Sequence, residues 1–218
     1  MPKKAAPAQR RARTPDQKQD RRAAILAAAV AHTRESGLDS VTMAGLAKRA
    51  GLAKGTLYLY FETREEVFLA LYLDALAQWA SRIEAALVPG MSDDAAIAAI
   101  AEATRGAPLF IALASRLSGV IEQNVPIATL VAAKRASLPV YLSVAGRLEE
   151  SLGLAAGDGM RFGSALMALL LGAAGMDTGD LAMRDDLPGD VRDIVALSRF
   201  ETVFGEGVRL LLAGIRRS

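Results

Sequence analysis

The sequence predicts an all-α protein of about nine helices, in which a small N-terminal three-helix domain precedes a larger helical body. After residue 20 the apolar side chains recur at the three- and four-residue spacing of helices. Glycine, proline and capping residues fall where these segments end. Runs of alternating β-branched residues flanked by turn residues are missing from the sequence, which disfavours strands.

The N-terminal domain takes its three helices from segments that end at glycines or turns. The first is predicted at about residues 18–36 and ends at Gly37, which suits a left-handed cap. The second begins at Thr42, whose hydroxyl caps the free amides of the next turn, and ends at Gly51. The third is short and covers about residues 53–60.

The fourth helix has the clearest start in the chain. The segment Thr63-Arg64-Glu65-Glu66 is a capping box, in which the side chains of Thr63 and Glu66 satisfy each other's backbone amides. An apolar stripe then continues for several turns until Pro89-Gly90 ends the helix. This long helix leads directly from the small domain into the body.

Five more helices are predicted in the body. Pro139 lies inside the third of them and is expected to kink it. A loop rich in Gly, Asp and Pro covers residues 175–190, and the apolar run between Arg161 and Asp177 is too short for the roughly 20 residues that a bilayer needs, so no membrane partner is expected. The helices are predicted at about residues 93–105, 108–122, 126–152, 158–175 and 190–215.

Composition excludes several kinds of chemistry. The 218 residues are 52% hydrophobic, enough for a compact core with a small second domain. Cysteine is missing and His32 is the single histidine, so disulfides, thiolate sites and histidine-rich metal sites are excluded. No nucleophile, metal-ligand or phosphate-loop spacing is present, which argues against an enzyme, and we expect no metal and no cofactor.

Positive charge is concentrated at the N-terminus. Residues 1–22 carry eight basic and two acidic side chains, whereas the whole chain has a net charge of only +2. Residues 1–19 are therefore predicted to form a basic flexible arm attracted to a polyanion such as DNA. A solvated tail without a partner is an equally good interpretation on charge alone.

Residues 42–60, TMAGLAKRAGLAKGTLYLY, have the spacing of a helix-turn-helix. Leu46 and Leu57 can meet between two crossed helices, Ala47 is small enough for close approach, Gly51 supplies the turn and Leu52 fills the corner. The next helix then projects outward, as required to enter a major groove. Its outward side chains carry suitable chemistry, namely an amine, a threonine hydroxyl and two tyrosine hydroxyls.

Residues 21–68, RRAAILAAAVAHTRESGLDSVTMAGLAKRAGLAKGTLYLYFETREEVF, resemble the DNA-binding domain of the tetracycline-repressor (TetR) family of bacterial regulators. The matching features are AAILAAA in the first helix, VTM before the second, the run AKRAGLAKGTLYLYF, and the acidic start of the fourth helix. The resemblance implies a helix-turn-helix domain at 20–67 and a ligand-binding and dimerisation domain at 68–218. It further implies a cytoplasmic bacterial protein, associated with the nucleoid when bound.

The resemblance also assigns roles to residues of the small domain. Arg64 stands where the family usually has lysine, which keeps the charge and changes its reach. Ala44 offers only a methyl group to a base. By the resemblance, contacts to the phosphate backbone or to base edges come from Thr42, Ala44, Lys54, Gly55, Thr56, Tyr58, Tyr60 and Arg64.

Two further sets of residues are expected in the body. The resemblance implies that the last two long helices pair with those of a second subunit, and their apolar excess supports this. The dimer residues are predicted to be Leu166, Leu169, Leu170, Phe200, Val203, Phe204 and Leu211. An apolar or aromatic effector is predicted to contact Trp79, Phe110, Leu113, Arg116, Leu117, Val120, Gln123, Asn124 and Tyr141, although such stripes are more often ordinary core.

The sequence thus favours a homodimeric regulator that represses transcription from a palindromic operator and leaves the DNA when the effector moves the fourth helix. The alternative is a non-catalytic helical module that binds other proteins.

Overall fold

The computed structural model describes residues 15–177, 184 and 186–217. These residues are helical or in turns, and none of them forms a strand. The all-α prediction is therefore confirmed for the part of the chain that is described. By its internal contacts the chain divides into two compact units, with the boundary between Val67 and Phe68.

The first helix of the first unit starts earlier than predicted. It begins at Pro15, so residues 15–19 of the expected arm are helical, and residues 1–14 lie outside the described part. Proline is preorganised for the first helical position, and Asp16 places a carboxylate near the positive end of the helix dipole. The helices of this unit are α1 (Pro15–Ser36), α2 (Met43–Arg49), α3 (Lys54–Leu57) and the first turn of α4 (Arg64–Ala86).

Glycines end these helices as predicted. Gly37 follows α1 with φ 79°, and Gly51 follows α2 with φ 66°. Both values lie in the left-handed region, where a residue with a Cβ is strained, so these turns depend on glycine. The third helix is shorter than predicted: α3 ends at Leu57, and residues 58–60 form a turn.

The cap of α4 largely follows the predicted capping box. The amide of Glu66 donates to Oγ1 of Thr63 at 3.1 Å. The carboxylate of Glu66 accepts a hydrogen bond from the amide of Glu62, one residue earlier in the chain than predicted. The helix then runs without interruption from the first unit into the second and ends at Ala86, three residues before Pro89.

Two of the predicted helices of the second unit are divided. The segment predicted as 108–122 ends as an α-helix at Ala114 and continues through π and 3₁₀ turns to Asn124. The segment predicted as 190–215 breaks at Ser198 and Arg199, because Arg199 adopts extended backbone at ψ 139°. The helices are α5 (Asp93–Arg105), α6 (Pro108–Ala114), α7 (Ile127–Leu152), α8 (Asp158–Met176), α9 (Gly189–Leu197) and α10 (Phe200–Ile215).

The described residues therefore contain ten α-helices, one more than predicted, because the last helix is two. Helix α7 continues through Pro139, and the kink expected there stays a prediction. Of the loop predicted at 175–190, residues 178–183 and 185 lie outside the described part.

Helix α8 is the centre of the second unit and packs against both α7 and α10. Its buried face consists of Gly159, Phe162, Leu166, Leu170 and Ala173. On length and composition alone, α7 and α8 are each apolar enough to cross a membrane, which corrects the expectation that the run before Asp177 is too short. Most residues of each of these apolar stretches are not buried within the single chain, so both helices have exposed apolar surface.

Candidate nucleic-acid interface and a cavity in the second unit

Helix α3 packs against α2 through a small apolar core. Leu46 and Ala47 of α2, Leu52 of the turn and Leu57 of α3 are all buried. The amide of Leu52 donates to the carbonyl of Ala47 at 2.8 Å, which fixes the turn between the two helices. These are the packing positions that the sequence predicted. The remaining side chains of the short α3 are thereby directed away from the core.

The outward side of α3 presents an amine beside an aromatic ring. Lys54 and Gly55 are exposed, and Tyr58 is 42% exposed. The ammonium of Lys54 lies 5.9 Å from the centre of the Tyr58 ring, within the range of a cation–π contact. No atom lies within 4 Å of the position that a Cβ on Gly55 would take, so a ligand can approach the backbone there.

The other predicted contact residues differ in how accessible they are. Ala44 is exposed at the start of α2, whereas Thr56 and Tyr60 are half-buried. Thr42 is exposed and caps α2, accepting a hydrogen bond at Oγ1 from the amide of Gly45 at 3.1 Å. Its hydroxyl proton remains a donor for a phosphate, because a hydroxyl accepts and donates at once.

The guanidinium of Arg64 donates hydrogen bonds to groups of the first unit. Its Nη1 donates to the carbonyl of Val41 at 3.3 Å, and its Nε and Nη2 donate to Oε1 of Glu65 at 3.1 and 3.0 Å. A phosphate would have to compete with these partners. The predicted contact of Arg64 with DNA therefore stays a prediction.

Sequence reasoning missed Leu59, whose side chain is 70% exposed. The signal was a second leucine two residues after Leu57, and the structure places Leu59 in the turn that follows α3. An exposed leucine there offers apolar contact to a thymine methyl group or a sugar.

The second unit contains a cavity of about 310 Å³ between α4, α7 and α8. Its volume is at the small end of the range typical of small-molecule sites. Aromatic rings support one wall, since the Trp79 ring stacks on Phe110 at a centroid distance of 4.8 Å. The lining includes Leu76, Trp79, Tyr141, Leu148, Met160 and Ser164.

Two of the predicted effector contacts line this cavity, and seven do not. Trp79 and Tyr141 belong to the lining, whereas Phe110 and Leu113 are buried in the core beside it. The other five lie in or next to the turns after α6 and do not belong to the lining. Three of them have polar side chains that donate to local carbonyls: Arg116 to Ala112, Gln123 to Ser118 and Asn124 to Val120. Leu117 and Val120 lie in the same turns. The sequence did not indicate that Met160 and Ser164 line a cavity, because α8 was predicted to form the dimer interface.

The structure places most of the predicted dimer residues inside the subunit. Leu166, Leu170, Phe200 and Phe204 are buried in its core, and the last two stack at 5.1 Å. These four have at most 6% of their surface exposed, so they contribute mainly to the core of the subunit. Leu169, Val203 and Leu211 are half-buried, while Leu210, which the prediction omitted, is 73% exposed.

A helix-turn-helix with a packed core, joined by one continuous helix to a second helical unit, is typical of a class of DNA-binding transcription regulators. The TetR family model of bacterial regulatory proteins matches residues 25–71, and the model of the tetracyclin repressor-like C-terminal domain matches residues 73–218. The chain belongs to the TetR family of transcription regulators, which are not enzymes. The second match includes α7 and α8, the two described single helices that are both long and apolar enough to cross a membrane.

Individual relatives agree with this assignment. The chain is 35% identical over 68 residues to the fatty acid metabolism regulator protein of Bacillus subtilis, and the match covers 31% of this chain and 35% of that protein. It thus spans about a third of the length of that relative. It is 32% identical over 72 residues to an HTH-type transcriptional regulator of the same organism, covering 33% of this chain and 38% of that protein.

Solved structures share the fold over most of the chain. A TetR transcriptional regulator from Rhodococcus sp. RHA1 is 23% identical with a TM-score of 0.58, covering 89% of this chain and 96% of that one. A TetR regulator from Streptomyces coelicolor is 24% identical with a TM-score of 0.52 and the same coverage. At this identity the likeness shows the fold.

Proposed function

We propose that the protein is a cytoplasmic homodimeric repressor that binds a near-palindromic operator through α2 and α3 and leaves it when a small molecule enters the second unit. The observation that carries the proposal is the geometry of α3. Its core side chain, Leu57, is fully buried, while Lys54, Gly55 and Tyr58 are turned to solvent. A twofold dimer that presents two such helices about 34–36 Å apart fits successive major grooves.

Helix α4 is the proposed link between effector and DNA. It starts at Arg64, directly after the helix-turn-helix, and its later residues Leu76 and Trp79 line the cavity of the second unit. A ligand that prefers one position of this helix shifts the population toward that position. The shift lowers operator affinity by the coupling free energy between the two sites, typically about 1–3 kcal/mol.

Lys54→Ala is expected to weaken binding to the DNA that flanks the protein's own gene, measured by fluorescence anisotropy at several salt concentrations. Loss of a bidentate base contact costs about 1–3 kcal/mol for each half-site and leaves the salt dependence unchanged. Loss of a phosphate contact instead makes the negative slope of log K against log salt shallower by about 0.9 for each lysine.

Arg82→Ala is the matched control, because it removes one exposed positive charge on α4 in the second unit. It should leave both affinity and slope near the unsubstituted values. Equal affinities of the two variants for every duplex would exclude α3 from the interface. That result would favour the alternative, a helical module that binds other proteins.

Leu210→Asp is expected to shift a dimer to monomers in sedimentation measurements, because it places an unpaired charge in the proposed interface of α8 and α10. Ile127→Asp on α7 is the control, since Ile127 and Leu210 are both 73% exposed. If the two variants sediment alike, α10 does not form the interface.

A further inference from the structure

The cavity between α4, α7 and α8 has walls without formal charge. Among the described residues that line it there is no Lys, Arg, His, Asp or Glu. Burying an ionised group without a partner costs far more than any apolar contact returns. A molecule that fills this cavity is therefore neutral where it touches the walls.

Few polar atoms remain to orient such a molecule. The indole nitrogen of Trp79 already has a hydrogen-bond partner, since it donates to Oγ1 of the buried Thr104 at 3.2 Å. Ser164 is exposed and marks the open side of the cavity. Of the three described lining residues with a polar side chain, Tyr141 is therefore the one whose hydroxyl we consider for orienting the molecule.

Tyr141 also takes part in a contact between two helices. Its hydroxyl oxygen lies 2.7 Å from that of Tyr72, so one hydroxyl donates to the other and ties α7 to α4. Tyr72 is buried beside Phe110, with a ring-centroid distance of 6.0 Å. Burial and the hydrogen bond with Tyr141 raise the pKa of Tyr72 above its usual value, so it stays neutral across the physiological range.

We propose that this cavity takes a small, neutral, largely apolar molecule with one oxygen acceptor, and that this acceptor takes the hydroxyl proton of Tyr141 while Tyr72 donates to the oxygen of the same hydroxyl. The side chains of Met160 and Met167 on the opposite wall adapt to an irregular or aromatic outline. The bound acceptor fixes the pair in one arrangement, in which Tyr72 donates to Tyr141 and Tyr141 donates to the molecule, and so favours one position of α4 relative to α7. The step from this position of α4 to the loss of DNA rests on the proposed function.

The test uses three naphthalenes of nearly equal shape and the fluorescence of Trp79, the single tryptophan of the chain. 2-Acetylnaphthalene is neutral with an acceptor, 2-isopropylnaphthalene is neutral without one, and 2-naphthoate is an anion. We expect the ketone to bind roughly 2- to 12-fold more tightly than the hydrocarbon, the range of one net hydrogen bond. The anion should bind more than about 100-fold more weakly than the ketone.

Two conservative variants locate the hydrogen bond. Tyr141→Phe keeps the ring in the wall and should bring the ketone to the affinity of the hydrocarbon, whose own affinity stays unchanged. Tyr72→Phe removes the neighbour of Tyr141 but leaves the Tyr141 proton available, so the affinity for the ketone should change by less than about threefold. Circular dichroism of both variants checks that they fold.

The proposal is overturned if the anion binds as well as the ketone, if Tyr141→Phe leaves the ratio of ketone to hydrocarbon unchanged, or if none of the three probes binds at its solubility limit. These measurements contain no DNA. Failure of the operator experiments with Lys54→Ala therefore leaves the assignment of the cavity intact, and failure here leaves the DNA-binding proposal intact.

Discussion

Replacing Leu57 with alanine is expected to lower the free energy of unfolding of the first unit by about 2–5 kcal/mol. Leu57 is fully buried against α2, and its loss leaves a cavity in a core too small to rearrange around it. The change is measured by denaturation followed by circular dichroism at fixed protein concentration, because dimerisation contributes to the apparent stability. Operator affinity should fall along with the folded fraction.

Leu59→Ala is the control for this prediction, since it makes the same chemical change two residues later. Leu59 is 70% exposed, and its replacement should alter the free energy of unfolding by no more than about 0.5 kcal/mol. If Leu59→Ala keeps the stability and weakens operator binding, the side chain contacts DNA. If it destabilises the unit as much as Leu57→Ala, the orientation of α3 given above is wrong.

Gly159→Ala is expected to lower the free energy of unfolding of the second unit by about 1–3 kcal/mol or more, the usual cost of overpacking. A Cβ at this position would lie 2.2 Å from the carbonyl oxygen of Ala145, which belongs to the backbone of α7 and cannot rotate away. The helix start is also fixed, because the carboxylate of Glu149 accepts hydrogen bonds from the amides of Gly157 and Gly159, both at 2.8 Å. The two helices would have to separate.

Gly163→Ala, one turn later in α8, is the matched control. The nearest atom to its Cβ would be Cδ1 of Leu148 at 3.7 Å, which is an ordinary contact. Alanine inside a helix is favoured over glycine by about 0.5–1 kcal/mol, so this variant should melt at the same temperature or higher. Equal melting temperatures for the two variants would show that α7 and α8 do not approach as closely as described.

The sequence predicted the first unit well because local chemistry decides its shape. Gly37 and Gly51 end helices through their own backbone conformation, and Thr63 caps α4 through its own hydroxyl. Leu57 is buried and Lys54 and Gly55 are exposed because only one side of the short α3 packs against α2. Family resemblance rested on these same residues.

The second unit was harder to predict, because its features depend on which neighbour covers each apolar face. Nothing in the apolar pattern of residues 190–215 marks the extended backbone at Arg199 that divides α9 from α10. Nor does the pattern show that Phe200 and Phe204 are buried within the subunit while Leu210 is exposed. These differences arise from the packing of α10 against α8.

The sequence by itself determined the class of the protein, the ends of the first helices and the outward residues of α3, because each depends on side chains within one or two turns. Only the tertiary structure decided where the cavity lies and which apolar side chains remain exposed. It also decided that Tyr141, which lines the cavity, forms a hydrogen bond with Tyr72 on α4. Those features result from contacts between helices that are distant in the chain, and an apolar stripe looks the same whichever partner it meets.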